Sequence, residues 1–326
     1  MYNGAAFLNQ ALDSVVKQSF RDFEVLLIDD ASTDGSAALA ESFSDPRVRM
    51  VRHERNLKLP ATLNHGLDLA QGELIARMDA DDVCAPYRFA RQVEFLDAHP
   101  EIGICGCAVR LFGTGKSITR RYPVAAGAVE AFRFFHCPFA HPTVMLRRCL
   151  LVEHRLRYDP IAVAVEDFDL WIRLLRYTRG ANLSDVLLEY RMHKASVTSR
   201  DWIAMNENSA KVLHSALQEI LPGVTKEQSR FHRQVSMAEI NPDIESLCKA
   251  DEWLMRIAPL LIRNHDARAV LREIWFRLAM RVTPVLGFAA LNRALNGSFP
   301  RQYGLDAGQR ALIIGSAIKA RLKGCR

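Results

Sequence analysis

Leu74-Ile75-Ala76-Arg77-Met78-Asp79-Ala80-Asp81-Asp82 is a mainly apolar run that stops at three carboxylates in four positions. A short apolar run bounded in this way reads as a buried strand. The pattern also occurs upstream, where Glu24 to Ile28 stops at Asp29-Asp30. Between and around these runs, apolar residues recur at helical spacing. Phe7, Leu8, Ala11, Leu12, Val15 and Val16 form one such set, Ser36 to Phe43 and Ala61 to Ala70 two more, and Pro86 opens another helix that runs to about His99. Val48 to Val51 and Ile102 to Val109 add strands. Strand and helix in alternation predict an α/β fold with a mostly parallel sheet and helices on both faces.

Ligands of such sheets gather beyond the carboxyl ends of the strands. A single Asp after a strand most simply caps the next helix. Five carboxylates after two strands of one sheet are harder to explain as caps, and like charges crowded at one edge call for a cation or for hydrogen-bond donors. Asp79 and Asp81, two apart in a tight loop, suit a hard divalent cation, which Mg2+ exemplifies by sharing itself between one or two carboxylates and substrate phosphates. A nucleoside diphosphate leaving group is the matching partner, because the metal would neutralise charge as the bond to phosphate breaks.

Residues 110–200 are less regular. They hold His141-Pro142-Thr143, strand candidates at Val144 to Leu146 and Val186 to Tyr190, and Glu166-Asp167 opening a helix. Acids at a helix start also follow from the helix dipole alone. Trp171, Ile172, Leu174 and Leu175 read as core. From about 201 the period is helical, with Trp202 to Leu221, Pro242 to Ile262 and Ala267 to Met280 as candidates; Val282 to Lys323 is basic and apolar, broken by glycines. Gly113-Thr114-Gly115-Lys116-Ser117 is no phosphate-binding loop, since that motif needs glycine where Arg110 stands; a surface turn fits better.

Three blocks carry a family resemblance: Ile28 to Gly35, Gly72 to Asp82, and Glu166 to Arg173. Together with Tyr2-Asn3-Gly4 and His141 to Met145, they resemble glycosyltransferase family 2 over about residues 2–200, in order and spacing. The resemblance implies an inverting, metal-dependent transferase of the GT-A fold, using Mg2+ or Mn2+ to move a sugar from a nucleotide-diphosphate donor. The expected donor is a UDP-sugar, and the expected acceptor a hydroxyl of a cell-surface polysaccharide or lipid-linked glycan. It further implies that Asp30 and Tyr2 lie at the nucleotide base, with Lys58 in the same pocket. Asp79, Asp81 and Asp82 fall on the block that holds donor and metal, and Asp167 matches the catalytic base. His193 sits where relatives carry a histidine near the diphosphate or metal, whereas His141 reads as structural or acceptor-side. Inversion needs one in-line displacement, so the acceptor hydroxyl must lose its proton to a group opposite the leaving nucleotide.

Family members begin with an apolar strand ahead of the Tyr-Asn turn. Here Met1-Tyr2-Asn3 starts the sequence, so the expectation is that this strand lies upstream of a misplaced start. Its absence motivates the competing reading, a catalytically inactive sugar-nucleotide-binding or scaffolding module.

Length and composition fit a globular chain: 326 residues, 49% hydrophobic and 25% charged. Seven scattered cysteines without CxxC spacing indicate neither a disulfide framework nor a zinc site, and a reducing, cytoplasmic setting fits. No signal peptide is recognised, and no apolar run reaches the roughly 18 residues of a membrane span. The net charge of +6 is unevenly spread: residues 1–200 are neutral, residues 201–252 acidic, and residues 253–326 carry 13 basic against 3 acidic side chains. The chain thus divides into a transferase domain, 1–200, and a helical extension, 201–326, whose basic tail suits a membrane surface at the inner face of the plasma membrane, or another partner contact. Nucleic acid is disfavoured, because the basic residues lack interleaved stacking aromatics.

Overall fold

Helix α1 (Ala5–Val16) buries Leu8, Ala11, Leu12 and Val15, the stripe an amphipathic period demands. Its start is capped from outside: Asp34 Oδ2 accepts from the Ala5 amide at 3.1 Å and Ser36 Oγ from the Gly4 amide at 2.9 Å, satisfying donors that a helix start leaves over. β1 (Val25–Asp29) and β2 (Val48–Arg52) pair in parallel across α2 (Ser36–Glu41). Leu8, Leu12, Leu27 and Ala40 close a small core among them. On the other edge of β1 lies Met1, whose amine donates to Ile28 O while its carbonyl accepts from the Asp30 amide at 2.9 Å.

The computed structural model describes residues 1–115, 117–193 and 202–324. After α3 (Leu59–Leu69) the chain builds a second sheet in the order β3 (Leu74–Ala76), β7 (Met145–Arg147), β5 (Ile102–Phe112), β8 (Arg179–Arg191), β4 (Val83–Cys84), with β6 (Ile118–Arg120) on the end of β5. The two long pairings, β1 with β2 and β5 with β8, are parallel. The rest are antiparallel and two or three residue pairs long. β8 starts well before the predicted Val186, because its first half is also drawn into the sheet beside the buried β5. The core under this sheet joins Phe89 and Leu96 of α4 (Arg88–Ala98) to Ile102, Cys105, Cys107, Leu187 and Leu188.

The chain divides into two compact units, Met1–Ala126 with Cys137–Ser209, and Gly127–His136 with Ala210–Arg326. Asn182, 1% exposed, marks where the first unit gives up its chain and takes it back. Its side-chain amide donates to Pro123 O at 2.8 Å and Pro138 O at 3.1 Å. Gly106 must be glycine beside it, since a Cβ there would meet Asn182 Oδ1 at 2.3 Å. α5 (Ala126–Phe132), the 3-10 turn His141–Thr143, α6 (Arg148–Glu153) and α7 (Glu166–Leu174) complete the middle of the chain. Lys116 of the glycine turn lies outside the described residues; Gly113 and Gly115, both ahead of it, have positive φ, as a turn requires.

From Trp202 the chain is helical: α8 (Trp202–Ile220), which enters the second unit at Ala210, then α9 (Lys226–Met237), α10 (Ile244–Leu261), α11 (His265–Leu286), α12 (Phe288–Asn296), α13 (Ser298–Tyr303) and α14 (Ala307–Gly324). α9 escapes the hydrophobic period because it is mostly polar, yet a full capping box, Thr225 with Gln228, starts it. α11 runs six residues past Met280 and through Pro284. Of the glycines expected to break the tail, Gly287, Gly297 and Gly304 do separate helices, while Gly308 and Gly315 lie inside α14. No helix of the described residues is long and apolar enough to cross a membrane.

Candidate active site

The two acidic strand ends do different things. Asp30 is 4% exposed, and its carboxylate is filled by the loop after β2. Oδ1 accepts from the Leu57 amide at 2.8 Å and faces His53 Nδ1 at 2.8 Å, while Oδ2 accepts from the Lys58 amide at 3.0 Å. Burial pushes this carboxyl up, but the bonds from His53, Leu57, Thr62 and Lys58 outweigh it and hold it below the usual range. Asp30 therefore anchors the loop after β2, and Lys58, at φ 74°, is held there by its main chain with its side chain exposed. Tyr2 is 54% exposed on the adjoining turn. That turn is tied down by Asn3, whose amide donates to Ser32 Oγ at 2.9 Å and whose Oδ1 accepts from the Thr33 amide at 2.8 Å. A second histidine, His65, stacks on His53 with Nδ1 2.8 Å from His53 Nε2.

The loop after β3 gathers Asp79, Asp81 and Asp82, with one oxygen of each within 4.8 Å of the others. Arg77 grips Asp79 with both terminal nitrogens, at 2.7 and 2.5 Å. Burial raises the Asp79 carboxyl, against the pull of Arg77. Asp82 takes the Arg191 amide on Oδ1 at 2.8 Å, while its buried Oδ2 has no hydrogen-bond partner. Burial first, and Asp79 second, push Asp82 up to about 8. An all-oxygen cluster with one buried, unsatisfied oxygen fits a hard divalent cation. His193 adds Nε2 at 2.8 Å from Asp81 Oδ2.

Arg191, at the end of β8, is what fixes this loop. Its Nε donates to Asp81 O at 2.7 Å and Nη2 to Gln10 Oε1 at 2.6 Å. Its guanidinium lies 4.5 Å from the Phe7 ring and 4.4 Å from the Phe112 ring. The sequence reading missed Arg191 and gave Arg77 no role. For Arg77 the signal was present, a cation inside an otherwise apolar run two residues before the carboxylates; for Arg191 nothing in the local pattern announces the contact.

Asp167 occupies the second position of α7. Its Oδ1 accepts from the Phe168 amide at 2.7 Å, and the Cys137 thiol lies 3.8 Å from its Oδ2. Burial raises the Asp167 carboxyl above the ordinary range. Burial and the neighbouring Asp167 charge push Glu166 up to about 7. Behind them, His141 Nε2 is 3.0 Å from the Tyr158 hydroxyl, and both rings abut buried Trp171. Burial holds His141 well below its usual range, so it stands as a neutral packing and hydrogen-bonding group. Arg77 is felt electrostatically by Asp79, Asp82, Asp167, Glu166 and the Met1 amine alike. One buried guanidinium thus balances the acids of both the loop after β3 and α7.

The family model for glycosyl transferase family 2 matches residues 1–156. The amylovoran biosynthesis glycosyltransferase AmsE of Erwinia amylovora is 32% identical over 203 residues, 59% of this chain and 73% of that protein. Among solved structures, S. aureus TarS 1–349 in complex with UDP-GlcNAc superposes with a TM-score of 0.57 at 17% identity, over 98% of this chain and 90% of that one. The mannosyltransferase PcManGT from Pyrobaculum calidifontis, in complex with GDP-Man and Mn2+, gives 0.56 at 22% identity, over 99% and 85%. At these identities the structural likeness speaks for the fold.

Proposed function

The chain belongs to glycosyltransferase family 2 and is a sugar-transferring enzyme, and from that premise we propose that it moves a sugar from a UDP-sugar to a glycan hydroxyl with inversion and with a divalent cation. The observation that carries this reading is the Asp79, Asp81 and Asp82 cluster with its unsatisfied Asp82 oxygen. Asp81 and Asp82 would hold the cation, His193 beside them, and Asp79 would face the donor. When bound, Mg2+ or Mn2+ neutralises charge on the departing diphosphate. Tyr2, the loop held by Asp30, and Lys58 would form the nucleotide pocket. Asp167 takes the proton from the acceptor hydroxyl as its oxygen bonds to the anomeric carbon and the bond from that carbon to the diphosphate breaks. Its raised carboxyl makes it a stronger base than a solvated Asp.

The proposed acceptor is a cell-surface polysaccharide or lipid-linked glycan. AmsE, by its name, serves in amylovoran biosynthesis, and such acceptors put the work at the inner face of the plasma membrane. A cytoplasmic setting is supported by the cysteines, which are free at 84, 105, 107, 137, 149 and 248. Residues 1–200 are proposed to hold donor and catalytic groups, with 201–326 as the helical extension. A panel of nucleotide sugars, each with Mn2+, with Mg2+ or with EDTA, tests the reading by release of nucleoside diphosphate. Release from a UDP-sugar that EDTA abolishes and metal restores is expected. Donor binding without release on any acceptor would instead identify an inactive binding module.

A further inference from the structure

The final helix carries two apolar stripes where packing needs one. On α14, Ile313 and Ala317 are 0% exposed, turned into the unit that α11 and α12 also build. A second stripe, Ala311, Ile314, Ile318 and Leu322, follows helical spacing and faces solvent; Ile318 is 44% and Leu322 65% exposed. Beside it, the α11–α12 corner exposes Val285 and Phe288. The corner and the helix form one surface: a Cβ on Gly287 would stand 3.6 Å from the Ala320 Cβ, and the Arg321 guanidinium lies 5.5 Å from the Phe288 ring. A group of exposed apolar side chains of this kind marks an interaction surface.

Charge selects the occupant. At 100° per residue, Arg310 and Arg321 border the exposed stripe on one side and Lys319 on the other. No acidic residue occurs between Ala307 and Gly324, and Arg281 is exposed at the far end of the corner. A second copy using the same patch would set this basic rim against itself. A bilayer with anionic headgroups accepts both components, the apolar side chains at the acyl boundary and the long basic side chains at the phosphates. We propose that this face of α14, with the Val285–Phe288 corner, docks the enzyme peripherally on an anionic lipid bilayer, the helix lying along the surface. The inference is independent of the donor and acceptor assigned above.

Cosedimentation of the full chain with vesicles of phosphatidylcholine alone, or of phosphatidylcholine with phosphatidylglycerol, provides the test. Binding is expected only when phosphatidylglycerol is present. It should weaken about a hundredfold when Arg310, Lys319 and Arg321 are replaced by Gln, since each basic residue near an anionic surface contributes about fivefold. Ile318→Asp with Leu322→Asp should lower it at least tenfold while donor turnover in solution and the thermal midpoint stay unchanged, because both side chains are already exposed. Three results would overturn the proposal: no binding to either vesicle, binding by both variants equal to that of the parent protein, or a dimer in solution that the Ile318→Asp, Leu322→Asp variant abolishes.

Discussion

Arg77 is the residue whose replacement tests the electrostatic design of the site most sharply. It makes two charge-assisted bonds to Asp79, at 2.7 and 2.5 Å, with 10% of its own side chain and 34% of the Asp79 side chain exposed. Lysine keeps the charge but cannot offer the planar fork, so Arg77→Lys loses one bond. A hydrogen bond to a charged group contributes about 1.5–3 kcal/mol; halved for the open third of Asp79, about 1 kcal/mol remains, or roughly a fivefold rise in donor KM. Arg77→Met removes the charge as well. A partly buried carboxylate stripped of its partner costs about 3 kcal/mol or more of stability, and with Asp79 no longer held by the fork, donor kcat/KM should fall at least about tenfold, or about 1.4 kcal/mol. The assay is nucleoside diphosphate release against donor concentration, with thermal unfolding alongside. If Arg77→Met kept donor kcat/KM within about twofold of the parent protein, the balancing role would be refuted.

Asp82→Asn keeps the acceptor for the Arg191 amide but loses the negative charge, so the Mn2+ concentration for half-maximal activity should rise at least about tenfold; a metal titration that superposes on the parent protein would count against Asp82 as a ligand. The Glu166–Asp167 pair is raised, Glu166 up to about 7, and the base must be ionised. Activity should therefore fall on the acid side along a limb above the ordinary carboxylate range, whereas full kcat/KM down to about pH 4 would contradict the pair's role. His232 predicts an acid-labile helical unit. Its Nδ1 accepts from Trp253 Nε1 at 3.0 Å and its Nε2 donates to Phe134 O at 2.6 Å, so the ring is neutral, and burial holds it down at about 4. Between the unfolded pKa of about 6.5 and the folded value, the unfolded chain binds the extra proton, so stability falls with pH by up to about 3 kcal/mol. A thermal midpoint unchanged from about pH 7 to about pH 4.5 would exclude this.

The acidic strand ends were legible because a strand that stops at carboxylates advertises its ligand side in one dimension. β1, the loop after β3 and the start of α7 stand where the apolar runs and their terminal acids indicate. The partners of those acids come from far along the chain. Arg191 reaches Asp81 and Asp82 across more than a hundred residues, and Cys137 reaches Asp167 across 30, distances that no local period records. The same holds for Asp30, whose expected contact with a base says nothing of the loop that fills its oxygens. In the helical unit, α9 was hidden by its polarity, and residues 127–136 group with helices far downstream, because packing there rests on sparse contacts such as His232 to Phe134.

The central claim is that Asp167 accepts the proton while the acidic loop binds the donor. Measuring donor affinity by calorimetry and turnover by nucleoside diphosphate release, on the parent protein and Asp167→Asn, separates the two roles directly. The account predicts donor binding unchanged and turnover reduced by at least about a hundredfold. Turnover that survives in Asp167→Asn would contradict it.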